Sequence, residues 1–223
     1  MSIHDGHRAR LRGRFLEHGL DTFDEHNVLE ILLFYAIPRA DTNVIAHELL
    51  GKFGKLSDVF DAPIEQLTQV AGVGETAATL IKLMPQISRR YQMSRTSPDG
   101  VLNTPKRAGA YLLPYYVGER DEVVYLVCLD AKCKVLCCKR LFEGGVNSAA
   151  VNIRKIVETA LSFNATSVIL SHNHTSGIAL PSPEDKVTTI KVRDALAAVD
   201  ITLFDHIVVA DDDFVSFSDN GLL

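Results

Sequence analysis

The stretch 171–185 constrains this chain more than any other part of its sequence. His172 and His174 stand one residue apart at the end of the apolar run 166–170. Side chains of an extended strand repeat with period two, so both imidazoles are expected on one side, where they can grip one metal ion. Asp185, eleven residues after His174, can supply a third ligand of a kind that zinc accepts. Three protein ligands leave the fourth tetrahedral position for water, as in a catalytic zinc site.

The same carboxylate has a purely structural interpretation. Ser182, Pro183 and Asp185 form a good helix start, with Ser182 as N-cap, Pro183 at the first helical position and Asp185 reaching back as in a capping box. The two interpretations compete for Asp185, and local sequence does not choose between them.

The full spacing resembles a known signature. His-x-His, seven residues and Ser-x-x-Asp is the pattern of the JAMM (MPN) metalloprotease module, and His172, His174, Ser182 and Asp185 match it position for position. The longer block resembles the bacterial RadC family, although Thr175 stands where that family usually has proline. The resemblance implies a JAMM-like mixed α/β domain with Zn²⁺ as cofactor.

The resemblance also implies a glutamate upstream of the histidines that accepts a proton from water without binding the metal. The candidates are Glu119, Glu122, Glu143 and Glu158. Glu122 matches the family's position at the start of a strand, and Glu143 is the second choice. Without the resemblance, Glu122 would be interpreted as a solvated residue at a strand start. Ser182 is implied as the donor to the oxyanion of a tetrahedral intermediate.

Two functions from different classes follow. The residues support metal-assisted hydrolysis, and the resemblance adds a peptide or isopeptide substrate. The alternative is a DNA repair or recombination factor whose zinc module binds without turnover. A module kept only as a scaffold has little need for Glu122 and Ser182 beside the metal, which favours the hydrolase.

Asp205 and His206 form a further polar pair within an apolar segment. They could orient a metal ligand, because ligating imidazoles generally donate their other N–H to an acceptor. They could equally make a hydrogen bond internal to the sheet. Both interpretations stay open, and neither residue is predicted to be a ligand.

The chain is predicted to have an α+β fold in two domains, a helical bundle over 1–95 and a JAMM-like domain over 101–223, joined by a polar linker at 93–100. In the bundle, Leu11, Phe15 and Leu16 predict the apolar face of a basic helix carrying four arginines. A later helix is predicted from Asp41 onward, stopped by Gly51 and Gly54. In the second domain a helix is predicted over 149–163.

The turn around Gly72 and Gly74 resembles a helix-hairpin-helix element, whose amides face a DNA phosphate. Any tight turn between packed helices also uses glycine. Residues 1–95 carry 11 Lys and Arg against 12 Asp and Glu, so weak DNA binding at most is expected.

The chain contains no apolar segment of membrane-spanning length, and its N-terminus has no apolar run after a basic region. A cytoplasmic protein with no membrane partner is therefore expected. The sequence predicts no oligomeric state.

Overall fold

The computed structural model describes residues 3–95, 100–143 and 152–223. The chain divides into two compact units, Met1–Ser88 and Arg89–Leu223. The predicted linker at 93–100 is partly wrong, because a long helix continues through Arg95, while residues 96–99 lie outside the described residues. The domain limits 1–95 and 101–223 remain a prediction.

The first unit is helical. Its core is a cluster of aliphatic side chains contributed by most of its helices, with Leu29, Leu49 and Ile81 among the fully buried ones. The helices are α1 (Ile3–His18), α2 (Glu25–Leu33), α3 (Thr42–Phe53), α4 (Leu56–Asp61), α5 (Ile64–Leu67) and α6 (Glu75–Arg95), the last of which runs past Ser88.

Two details of this unit differ from the prediction. Leu11 is buried, but Phe15 is 41% and Leu16 is 82% exposed, so the predicted apolar face of α1 is mostly absent. Helix α3 passes through Gly51 and ends at Phe53, where Gly54 has a positive φ of 105°. A positive φ suits glycine and ends a helix, whereas Gly51 keeps helical geometry at a modest cost.

The second unit is built on a five-stranded mixed sheet in the order β2-β1-β3-β4-β5. Among the described strand pairs only β3–β4 is parallel, and a helix connects those two strands. The elements are α7 (Pro105–Tyr116), β1 (Val123–Leu129), β2 (Val135–Glu143), α8 (Ile153–Ser162), β3 (Ser167–Asn173), α9 (Pro183–Ala197), β4 (Thr202–Ala210) and β5 (Asp213–Ser216).

Alternation along β1 divides the core into two layers. Val124 and Leu126 pack with side chains of α8 and α9, whereas Val123 and Tyr125 pack with α7 on the other face. Because paired residues of neighbouring strands point to the same face, these layers show which face each site residue occupies.

The α+β fold class is confirmed, with a helical first unit and a sheet covered by helices in the second. Helix α8 begins at Ile153, later than predicted, and residues 144–151 lie outside the described residues. Among the described helices, none is long and apolar enough to cross a membrane.

Candidate metal centre

The central strand β3 carries the histidine pair to the edge of the α8–α9 layer. His172 pairs with Val124, which packs in that layer, and His172 itself is only 1% exposed. The amide of His174 donates to the carbonyl of Val209 at 2.8 Å, which continues the β3–β4 pairing one residue past the strand. Both imidazoles therefore lie on one side of the sheet, as the period of two predicts.

The third residue lies in the first turn of α9. Ser182 is the N-cap and Pro183 follows at the first helical position. The Asp185 Oδ2 atom accepts hydrogen bonds from the Ser182 amide at 2.8 Å and from the Ser182 hydroxyl at 2.7 Å. In return, the Asp185 amide donates to the Ser182 hydroxyl at 3.1 Å, which completes a capping box.

The same carboxylate faces both histidines. The Nε2 atoms of His172 and His174 are 3.0 Å apart, and they lie 3.2 Å from Oδ1 and 3.3 Å from Oδ2 of Asp185, respectively. Ligand atoms of a tetrahedral zinc ion, each about 2.0–2.1 Å from the metal, are roughly 3.3 Å from one another. The trio therefore fits a small metal ion, and Asp185 serves as cap and candidate ligand at once.

Among the described residues, this trio is the one group of three His, Cys, Asp or Glu side chains positioned to hold a metal ion. Burial raises the pKa of the Asp185 carboxyl, but the adjacent His172 imidazole and the hydrogen bonds from Ser182 together bring it well below its usual range. The carboxyl is therefore ionised at neutral pH, as a metal ligand must be.

The outward nitrogen of His174 is fixed by the loop that follows β3. Its Nδ1 lies 3.2 Å from the carbonyl oxygen of Ile178. A carbonyl can only accept, so Nδ1 carries the proton and donates it. In the neutral imidazole the lone pair is then on Nε2, which is the atom that faces His172 and Asp185.

Of the four glutamates proposed as the base, three are engaged elsewhere. Glu119 bonds Arg89 at 2.6 Å, and Glu158 bonds Arg154 on the exposed face of α8 at 2.7 Å. Glu143 pairs with Val123, whose side chain packs in the α7 layer, and it bonds Arg140 at 3.2 Å. Glu143 therefore faces away from the histidines, which argues against the second choice.

Glu122 immediately precedes β1, and continued alternation puts it on the face of Val124 and His172. No ion pair or hydrogen bond engages its side chain within the described parts of the chain.

Asn173, between the two histidines, holds the backbone on either side of Glu122. Its Oδ1 accepts from the Val123 amide at 2.7 Å, and its Nδ2 donates to the Asp121 carbonyl at 3.1 Å. The sequence interpretation did not assign Asn173 a role, although its place within His-Asn-His was a signal.

Asp205 and His206 have different partners in the structure. His206 lies behind His172, with its Nε2 2.8 Å from the His172 Nδ1, so it does contact a candidate ligand. Asp205 instead accepts from the Ser216 hydroxyl at 2.6 Å and the Ser218 amide at 3.0 Å, within the sheet and beyond β5. Burial lowers the pKa of His206 well below its usual value and raises that of Asp205.

The glycine turn of the first unit has a packing explanation. Gly72 has a φ of 82°, and a Cβ there would lie 2.7 Å from the Cδ1 of Ile45. Gly74 has open space where a Cβ would be. Both glycines line an open groove that also contains the exposed side chains of Arg39 and Glu75, one of each charge.

Comparison with known proteins gives a match to a family model in each half of the chain. A RadC-like JAB domain model matches residues 102–222, and a UPF0758 N-terminal domain model matches residues 6–79. A UPF0758 protein of Pseudoalteromonas translucida (strain TAC 125) is 34% identical over 214 residues, which cover 96% of this chain and 96% of that protein.

Proposed function

The chain belongs to the RadC family, and from this membership and the geometry of its metal centre we propose that it is a zinc-dependent hydrolase of the JAMM type. The observation that carries the proposal is the convergence of His172, His174 and Asp185, whose facing atoms lie 3.0–3.3 Å apart. A bound zinc ion would supply a Lewis acid that makes water nucleophilic near neutral pH and polarises a carbonyl.

Glu122 is proposed as the general base. Continuing the alternation of β1 by one residue puts Glu122 on the face of Val124 and His172, and no described partner engages its carboxylate. A carboxylate in this place can take a proton from the attacking water and return it to a leaving amine. Asn173 holds the adjoining backbone to β3 and thereby limits the movement of Glu122 relative to His172.

Ser182 is proposed as the donor to the oxyanion. Its hydroxyl donates to Asp185 in this structure, while its amide makes a second bond to the same Oδ2. The hydroxyl can therefore be redirected to a substrate oxygen while the amide continues to hold Asp185. Donors of this kind are worth about 10²–10³ in rate when an oxyanion forms.

The substrate class is proposed from the JAMM resemblance to be peptide or isopeptide bonds. The test measures zinc content by elemental analysis and hydrolysis of a panel of peptides and isopeptides by the wild type and by Asp185→Asn. An amide oxygen is a poorer zinc ligand than a carboxylate, so the variant should lose both metal and activity. Zinc-loaded wild type that cleaves nothing in a broad panel would contradict the hydrolase proposal and favour a binding module.

DNA is proposed only as a weak partner of the first unit. The groove at Gly74 offers amides at the start of α6, but its two charged side chains, Arg39 and Glu75, have opposite charges and give it no net positive charge. Two of the arginines of α1 are engaged internally. Arg8 donates to the carbonyls of residues 37, 38 and 40, and Arg14 donates to the side chain of Asn27.

A further inference from the structure

A chain of three buried hydrogen bonds lies behind the candidate ligand His172. The His172 Nδ1 is 2.8 Å from Nε2 of His206, and the His206 Nδ1 is 2.6 Å from the hydroxyl oxygen of Thr189. That hydroxyl is in turn 2.6 Å from the carbonyl oxygen of Asp185. None of the three side chains is more than 1% exposed. The chain of contacts thus begins at one candidate ligand and ends on the backbone of another without reaching solvent.

The direction of each bond follows from the atoms at its far end. A carbonyl only accepts, so the single hydroxyl proton of Thr189 goes to the Asp185 carbonyl. The Thr189 oxygen can then only accept from His206, which places a proton on the His206 Nδ1. With its proton on Nδ1, neutral His206 offers Nε2 as an acceptor.

The neutral form of His206 agrees with its surroundings. Among the described residues, neither of its ring nitrogens touches a carboxylate, and the ring stacks on Phe217 with centroids 4.6 Å apart. A charged imidazolium buried there without a partner would be costly. It follows that His172 must donate from Nδ1, which leaves Nε2, the atom that faces Asp185 and His174, as its metal-binding nitrogen.

We propose that His206 and Thr189 are positioning residues that hold His172 in the tautomer able to bind the metal. They also connect that histidine to α9, the helix that carries Asp185. The inference rests on the proposed metal centre but not on hydrolysis. His172 is thereby kept protonated on Nδ1 by buried side chains, whereas His174 is kept protonated on Nδ1 by the carbonyl of Ile178.

The test compares Thr189→Val with Thr189→Ser in the full chain. Valine keeps the branched shape but removes the hydroxyl, whereas serine keeps the hydroxyl. Outer partners of metal-binding histidines are typically worth 10–100-fold in metal affinity. Zinc affinity, measured by competition with a chromophoric chelator, should fall about 10–100-fold in Thr189→Val and stay near wild type in Thr189→Ser. Thr188→Val, at the neighbouring half-buried position, is the matched control.

A second measurement tests the tautomer directly. Long-range ¹H–¹⁵N spectra of the metal-free wild type distinguish protonated from bare imidazole nitrogens. We expect His172 and His206 to carry their protons on Nδ1, and His172 to lose that preference in Thr189→Val. A wild-type His172 without a proton on Nδ1, or equal zinc affinity for Thr189→Val and wild type, would overturn the proposal. A protein that binds zinc as described but hydrolyses nothing would contradict the proposed function and leave this inference standing.

Discussion

The glycine turn of the first unit and the histidine pair of the second are both short motifs, but the fold accounts for them differently. At the turn, the positive φ of Gly72 and its close approach to Ile45 explain why a glycine stands there. At the histidine pair, folding brings the Nε2 atoms of His172 and His174 to 3.0 Å beside a carboxylate.

The comparison teaches which kind of motif indicates a ligand. A motif defined by a missing side chain can be satisfied by packing alone, as at Gly72. A motif whose metal-binding atoms converge on one point offers a place for a cation, because a positive charge attracts lone pairs that would otherwise repel one another.

The largest effect is expected from removing a ligand. His174 is partly exposed, so His174→Ala should leave the sheet intact but abolish zinc binding. Zinc at 100 times its dissociation constant should stabilise the wild type by about 2.7 kcal/mol and the variant not at all. Thermal unfolding with and without zinc measures this, and His18→Ala, at an exposed histidine outside the site, is the control. A zinc-dependent stabilisation that survives in His174→Ala would show that the histidine pair does not hold the ion.

The next effect concerns the base. Glu122→Gln keeps size and shape but cannot accept a proton, so activity should fall by roughly 10²-fold or more with zinc content unchanged. Glu143→Gln is the matched control, because Glu143 faces the other side of the sheet beside Arg140. If the Glu143 variant is inactive and the Glu122 variant fully active, the base has been assigned to the wrong residue.

The two glycines should differ in stability. Gly72→Ala places a Cβ against Ile45 in a backbone conformation unfavourable for alanine, and should cost about 1–3 kcal/mol. Gly74→Ala meets open space and should stay within about 1 kcal/mol of the wild type. Urea unfolding gives both values. Equal costs at the two positions would mean that packing does not explain the motif.

The smallest effect is expected for DNA. With Arg8 and Arg14 engaged internally, few side chains remain to contact phosphates, so duplex binding should be weak at any salt concentration and should fall further as salt is added. Gly74→Glu, whose Cβ would meet open space, should remove what binding there is. Anisotropy titrations decide this. A nanomolar dissociation constant for duplex DNA at physiological salt would contradict this prediction and favour a DNA repair or recombination factor over the hydrolase.

The sequence was sufficient for features that depend on local periodicity or fixed spacing. The apolar run 166–170 and the histidine pair were predicted to be extended, and β3 spans Ser167–Asn173. The three candidate ligands were named from their spacing, and the structure brings them together. Local patterns are informative here because strand alternation and helix capping act over only a few residues.

The sequence was insufficient where long-range pairing decides. His206 reaches His172 because β3 and β4 pair in parallel, with Leu170 opposite His206, a register that no local pattern contains. The face of Glu143 likewise depends on an irregularity in the β1–β2 pairing between Val124 and Tyr125. A bulge reverses which residues share a side, and sequence alternation alone does not reveal it.

The double use of Asp185 has an evolutionary consequence. Ser182 and Asp185 stabilise the start of α9 whether or not a metal is bound, because their capping box is complete in itself. A relative that lost its metal chemistry would still be selected to keep Ser-x-x-Asp for the helix, whereas a capped helix places no demand on His174. Substitution of the histidines is therefore the mark by which an inactive descendant of such a chain should be recognised.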